Sequence, residues 1–182
     1  MSVFYLGFIS QIHSPLTVGS HGWVGLSPWK WCREDSELSR RDILTSGEIV
    51  DIHVKQISPR VLNVQYGGSS DELNREEVRT TVNRWFSLNW STADVLKIAT
   101  TIDVGIANLI MAGGGRLLRC STFYEDFLKT ICTIQMSWVG TQRMVRRLVG
   151  LSGNGTFPNP ASVLTAGEAK LRRDVKLGFR AP

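Results

Sequence analysis

The sequence predicts an α+β fold, with a small antiparallel β-rich domain in residues 1–70 and an α-helical domain in residues 71–182. In the first part, apolar and polar residues alternate with the two-residue period of a half-buried strand. After a Gly-Gly-Ser-Ser junction at 67–70, apolar residues recur at the three- and four-residue spacing of amphipathic helices. A layer of strands with helices packed beside it is the architecture that such a pattern predicts.

The alternating segments are Glu48–Val54 and Arg60–Tyr66, which the break Ser58-Pro59 separates. Two strands joined in this way predict an antiparallel hairpin. Three tryptophans upstream stand among glycines and prolines. We interpret them as core or sheet-face aromatics rather than as base-stacking groups, because aromatic side chains most often serve packing: Trp23, Trp29 and Trp31.

Helical spacing begins in Asn74–Phe86 and continues in Ser91–Thr100. The apolar residues that share one face of the first helix are Val78, Val82, Trp85 and Phe86. Gly113–Gly115 then interrupts the pattern. No Gly-Lys-Ser/Thr follows these glycines, so they indicate a turn rather than a phosphate-binding loop.

Thr122 and Glu125 form a capping box that opens the next helix. Its apolar stripe predicts one buried face, made of Phe123, Phe127, Ile131 and Ile134, with Glu125, Asp126 and Lys129 on the solvent side.

A second helix is predicted over residues 139–151, with buried Met144, Val145, Leu148 and Val149. Its outward residues are Gln142, Arg143, Arg146 and Arg147, and we expect that the three arginines do not all face the same way. Asn159-Pro160 indicates a short helical turn, since proline favours the first helical position. A second capping box, Thr165 to Glu168, predicts a last helix that runs to Val175 with a basic outer side.

The net charge of +5 is unevenly distributed over the 182 residues. Residues 1–110 hold 10 Lys/Arg and 12 Asp/Glu, a balance of −2, whereas residues 111–182 hold 11 and 4, a balance of +7. Cationic residues concentrated in one segment favour a polyanion as partner, nucleic acid first. A solvated helix face is the alternative reading.

The remaining composition favours an intracellular protein. Three scattered cysteines fit neither a disulfide framework nor a metal site, and we interpret them as buried small residues. No secretory signal is recognised, and no apolar run reaches the length needed to span a membrane. We expect a location in the cytoplasm (nucleoid) of a bacterium or in the nucleus of a eukaryote, with no membrane contact.

The connection between the two strongest helices carries bulky and polar side chains, in Cys132–Trp138. A tight helix-helix connection would need turn residues only. One reading is structural: Met136 and Trp138 pack in the seam between the helices, and Gln135 caps a helix end.

The other reading comes from a resemblance carried by several motifs in order along residues 113–182. They are Gly115–Arg119, Phe123–Trp138, Arg143–Val149, Phe157–Pro160 and Lys176–Ala181. Together they resemble the helix-hairpin-helix (HhH-GPD) DNA glycosylases of base-excision repair, most of all the branch of the 3-methyladenine and 8-oxoguanine enzymes. The resemblance implies cleavage of the N-glycosidic bond of a damaged or mismatched base in double-stranded DNA.

In that family the turn that corresponds to residues 135–137 inserts near the lesion. The resemblance therefore makes Gln135 a candidate to contact the orphaned partner base and Met136 a candidate wedge, since apolar side chains occupy kinked base steps. Ser137 and Trp138 would shape the turn. The three arginines at 143, 146 and 147 would contact phosphates or else form a solvated face.

The departures from the family limit what the chain is expected to do. The family's Gly-rich hairpin and catalytic Asp follow the region of Gly178–Ala181, and this chain ends at Pro182. We therefore expect an incomplete helical domain, truncated before both features, and assign no catalytic residue. Glu125 and Asp126 are not assigned the catalytic role, because both lie in the first turn of a helix, where the helix dipole stabilises carboxylates. No cofactor or metal is expected. Two alternatives stay open: a non-catalytic DNA-binding or interaction module, and a basic helical protein unrelated to nucleic acid.

Overall fold

The computed structural model describes residues 1–8 and 10–181 and has the α+β fold that the sequence predicts. Five antiparallel strands form one sheet in the order β1-β5-β4-β3-β2. Their bounds are β1 Ser2–Gly7, β2 Lys30–Cys32, β3 Glu37–Ile43, β4 Ile49–Ser58 and β5 Val61–Tyr66. The predicted hairpin is confirmed as β4 and β5, with Val54 opposite Val64 and a bulge between Gln56 and Ser58.

The helices are α1 Ser14–Val18, α2 Glu72–Phe86, α3 Ala93–Ile102, α4 Val104–Met111, α5 Phe123–Thr133, α6 Trp138–Gly150 and α7 Pro160–Lys170. A wide helical turn, Leu171–Val175, continues α7, and single 3-10 turns lie at Trp23–Gly25 and Gly178–Arg180. None of the helices in the described ranges has the length and apolarity that crossing a membrane requires.

The inner face of the sheet packs against α2. The side chains predicted for the buried face of this helix, Val78, Val82, Trp85 and Phe86, all lie in the core with the strands. Trp29 belongs to the same core and meets Trp85 edge to face, with ring centroids 4.8 Å apart. The first helix after the junction therefore completes the core of the sheet, and the division into domains at residues 70 and 71 stays a prediction.

A second core forms around α6. Met144, Val145, Leu148 and Val149 are buried there as predicted, together with Leu171, Val175 and Leu177 from the end of the chain. Asn159 caps α7 through the amide of Ser162, at 2.8 Å, with Pro160 in the first position. The capping box at Thr165 is wrong, because Gly167 adopts φ 71° and ψ 160° and interrupts the helix two residues later.

The helices α3 and α4 form a hairpin that shares only a small core of Ala99, Ala107 and Ile110. Asp103 ends α3 and caps α4 through the amide of Ile106, at 3.0 Å. The rest of the hairpin exposes large apolar side chains, among them Val95, Ile98, Ile102, Val104, Ile106 and Leu109. The helix α4 was not predicted from the sequence.

The prediction of which face of α5 is buried is wrong. Thr122 does cap the helix, through the amide of Glu125 at 3.1 Å, but Phe123 and Phe127 are 73% and 55% exposed. The side chains turned inward are Glu125 and Lys129, at 2% and 0%. The charges can lie inside because they meet buried partners from the sheet, which the periodicity of one helix does not reveal. Cys32 is likewise exposed, although Cys120 and Cys132 are buried as expected.

Candidate nucleic-acid interface

The connection between α5 and α6 is an exposed turn at 134–138, which includes the first residue of α6. Ile134 ends α5 with extended backbone, Gln135 adopts φ 48°, and Ser137 caps α6 through the amide of Gly140, at 3.2 Å. Residues 134–139 are all exposed. The left-handed conformation of Gln135 costs roughly 1 kcal/mol for a residue with a Cβ, so the surrounding contacts must hold it.

Two contacts hold the backbone of the turn. The amide of Met136 donates to the carbonyl of Thr133 at 3.2 Å. The guanidinium of Arg180, 46 residues further along the chain, donates to the carbonyl of Ile134 and stacks on the ring of Phe179, 4.3 Å from its centroid. The turn is thus braced by the segment Gly178–Arg180.

The side chains of the turn differ in how they are held. Met136 lies along the first turn of α6, where a Cβ on Gly140 would come within 2.4 Å of its sulfur. Trp138 packs against the Gly22–Gly25 turn, where a Cβ on Gly22 would lie 3.2 Å from its ring. Gln135 has no side-chain hydrogen bond to a residue that the structure describes, so it does not cap a helix end. The predicted place of Trp138 in the seam between the helices is wrong, because its ring lies against residues 22–25 instead.

The three arginines of α6 are all exposed. Arg143, Arg146 and Arg147 stand at positions i, i+3 and i+4, which share one side of a helix. The expectation that they diverge is therefore wrong. Within the described part of the chain none of the three has an acidic partner, whereas the arginines at 172 and 173 are paired with Glu168 and Asp174 at 2.6 and 2.8 Å.

A buried cluster of charges lies behind α5 and was missed in the sequence. Arg40 of β3 donates to both oxygens of Glu125, at 3.1 and 2.9 Å, and to Asp42 at 2.7 Å. Lys129 contacts Glu125 at 2.7 Å. The two positive and two negative groups balance in charge. In the sequence, this cluster was indicated only by Arg40 and Asp42 two residues apart in β3 and by Glu125 and Lys129 four residues apart in α5.

Burial and counter-charges set the ionisation of this cluster. Although burial alone would raise the pKa of Glu125, Arg40 and Lys129 hold it at about 2. The pKa of Asp42 is raised, first by burial and then by the charge of Glu125, which outweigh Arg40. Burial also raises the pKa of the Cys120 thiol. Glu125 is therefore a structural carboxylate that stays ionised, and not a proton donor for chemistry.

Both carboxylate oxygens of Asp126 also accept hydrogen bonds within the fold. One oxygen accepts from Trp23 Nε1 and from the amide of Cys120, each at 2.9 Å, and the other accepts from Arg84 at 2.9 Å. The two carboxylates closest to the turn in sequence thus serve the fold. No group of three or more His, Cys, Asp or Glu suited to a metal ion occurs within residues 1–8 and 10–181.

The architecture is that of solved DNA glycosylases. A 3-methyladenine DNA-glycosylase from Archaeoglobus fulgidus matches 98% of this chain with a TM-score of 0.78 and 19% identity. An 8-oxoguanine glycosylase/lyase from Clostridium acetobutylicum matches the whole chain, with a TM-score of 0.65 and 14% identity in its apo form. The same enzyme in complex with double-stranded DNA containing cytosine opposite 8-oxoG gives 0.66 and 13%.

At these identities the likeness shows the fold, and activity has to be argued from the site. The chain spans 63%, 60% and 61% of the lengths of these three structures. The sequence matches no protein-family model and has no significant similarity to a curated protein.

Proposed function

We propose that the chain is the duplex-binding and lesion-intruding part of a base-excision DNA glycosylase of the helix-hairpin-helix type. The observation that carries this proposal is the exposed turn at 134–138, followed along α6 by three exposed arginines that have no acidic partner among the described residues, within a fold shared with DNA glycosylases. The proposed partner is double-stranded DNA with a damaged base, and the proposed location is the compartment that holds the DNA.

The arginines supply affinity for the duplex. Guanidinium groups at 143, 146 and 147 lie on one side of α6 and contact successive phosphates, releasing counterions. Such contacts fix orientation but carry no sequence information. They place the start of α6, and with it the turn, against the base pairs.

The turn acts on the base stack. Extrusion of a base costs a few kcal/mol in lost stacking and pairing, and an inserted side chain recovers part of this cost. Met136 is the wedge: its thioether is unbranched and flexible, so it can rotate away from Gly140 and enter the vacated step. Gln135 offers both a donor and an acceptor to the partner base left behind.

The experiment is a comparison of variants on two duplexes. Binding of a labelled duplex with an abasic site and of the intact duplex is measured by fluorescence anisotropy. We expect Met136→Ala and Gln135→Ala to weaken binding to the abasic duplex about tenfold while binding to intact duplex changes less than twofold, a difference of about 1.4 kcal/mol. Met111→Ala on α4, also exposed, is the matched control. Equal losses on both duplexes would remove the intrusion mechanism.

A second candidate function is a non-catalytic DNA-binding module. The engagement of Glu125 and Asp126 in ion pairs and hydrogen bonds favours it, because base removal would then need a group from elsewhere. Base release from a panel of damaged duplexes separates the two candidates. Lesion-specific binding without release of any base supports the module, and release supports the glycosylase.

A further inference from the structure

A cavity of about 380 Å³ lies between the sheet, α2, the start of α5 and the loop before α7. Tyr124 and Phe157 line it with two aromatic rings that meet edge to face, with centroids 6.3 Å apart. The rest of its apolar wall is made of Ile43, Leu44, Ile52, Pro158 and Pro160. Pockets for small organic molecules have such walls and volumes of roughly 300–1,000 Å³. The cavity therefore has the size and character that a small ligand requires.

The cavity is separate from the proposed DNA interface. It borders the first turn of α5, whereas the turn at 134–138 follows the other end of that helix. With 11 residues α5 is roughly 16 Å long. None of the described residues that line the cavity belongs to that turn or to α6. A ligand in the cavity would leave the proposed duplex-binding surface free.

Three carboxylates of the described chain line the cavity, and two of them share the buried cations. Glu125 is paired with Arg40 and with Lys129, at 2.9 and 2.7 Å. Asp42 also contacts Arg40, at 2.7 Å, and its side chain keeps an accessible fraction of 11%. Burial and the charge of Glu125 raise the pKa of Asp42. Its carboxylate is therefore short of counter-charge.

The third carboxylate, Glu77 of α2, has neutral partners. It accepts from the amide of Thr45 at 2.8 Å and from the hydroxyl of Thr45 at 3.0 Å. Within the described part of the chain, no Lys, Arg or His forms an ion pair with it. Arg40 and Lys129 supply two positive charges against the three carboxylates, which leaves the surroundings of the cavity at −1. A single positive charge would complete the balance.

We propose that this cavity binds a small organic monocation with a flat apolar body, such as an aromatic amidine or amine. Its charged end lies against Glu77 and Asp42, and its body packs against Tyr124 and Phe157. A planar amidinium suits this place, because a carboxylate can accept two parallel N–H bonds from such a group. The negative balance disfavours a phosphate or a carboxylate. This site goes beyond the proposed function and does not depend on it.

Three probes of the same shape test the charge that the cavity requires. At neutral pH benzamidine is a cation, benzamide is neutral and benzoate is an anion. NMR titration of the whole chain should give a Kd on the order of 1 mM for benzamidine and a value about tenfold higher for benzamide. Benzoate should not bind. Equal affinity for benzamidine and benzamide, or no binding of benzamidine at about 10 mM, would overturn the proposal.

The helix α2 offers two matched pairs of variants. Glu77 and Thr81 lie one turn apart and line the cavity, whereas the preceding residues Glu76 and Thr80 are exposed and do not line it. Glu77→Gln removes the charge but keeps an acceptor for Thr45, and Thr81→Leu fills part of the cavity.

We expect Glu77→Gln and Thr81→Leu each to raise the Kd of benzamidine about tenfold, and Glu76→Gln and Thr80→Leu to change it less than twofold. Far-UV circular dichroism checks that each variant is folded, and either cavity variant decides the test if the other does not fold. An unchanged Kd in a folded cavity variant, or an equal loss in its exposed control, would show that the cation binds elsewhere.

Discussion

Gly140 shows how a single residue sets the resting state of the proposed wedge. It stands in the first turn of α6, and the absence of a Cβ makes room for the Met136 sulfur. A methyl group there would collide with the far end of a flexible side chain and displace it, while alanine in a helix gains roughly 0.5–1 kcal/mol over glycine.

We therefore predict that Gly140→Ala leaves the free energy of unfolding unchanged or raises it by up to about 1 kcal/mol. Because Met136 no longer has its resting place, binding to an abasic duplex should tighten about two- to threefold, a few tenths of a kcal/mol. The gain should vanish when Met136→Ala is combined with it, and anisotropy on the four proteins of this cycle measures the coupling. A loss in Gly140→Ala as large as that in Met136→Ala would mean that the packed position is the working one.

The two sides of the helix α6 differ in character. Its buried stripe joins the second core, and the opposite side carries the three arginines that have no acidic partner in the described ranges. A row of unpaired cations at i, i+3 and i+4 repels itself slightly in the free protein. An anionic partner removes that repulsion.

We predict that replacing Arg143, Arg146 and Arg147 by alanine lowers the salt dependence of duplex binding. Each phosphate contact contributes about 0.9 to the slope of log K against log salt, so the slope should fall by about 3. Titrations between about 50 and 200 mM salt measure it. Arg41→Ala is the control, since that guanidinium is already paired with Asp51 at 2.7 Å. An unchanged slope would assign the arginines to a solvated face.

For the whole molecule, local patterns predicted local structure, and long-range contacts decided the rest. The hairpin of β4 and β5 and the buried stripe of α6 follow from periodicity alone. The strand β1 was not predicted because it pairs with β5, about sixty residues away in the chain. The wrong face of α5 was predicted to be buried for the same reason, because Glu125 pairs with Arg40, which lies 85 residues away in the chain. In the sequence, the turn at 134–138 could be recognised only by its excess of bulky residues. The hydrogen bond from Arg180 that holds this turn could not be predicted.

The buried cluster joins the sheet to the helices, so its titration should appear in the stability of the whole molecule. The pKa of Glu125 is lowered from 4.5 to about 2 in the folded protein. A depressed carboxylate contributes stability that is complete above the unfolded pKa and is lost as pH falls through the folded pKa. The contribution of Glu125 should therefore be complete above about pH 4.5 and fade toward pH 2, partly offset by Asp42, whose pKa shifts the other way.

We predict that Glu125→Gln lowers the free energy of unfolding at pH 7 by about 3–5 kcal/mol, because it leaves Arg40 and Lys129 buried with too little negative charge. The difference from the original protein should narrow as pH falls from 4.5 to 2, since protonation removes the same charge from Glu125. Urea unfolding followed by tryptophan fluorescence at constant ionic strength measures both effects. The exposed Glu34→Gln is the control and should leave the pH profile unchanged. A constant difference between pH 7 and pH 2 would show that Glu125 acts through packing rather than through its charge.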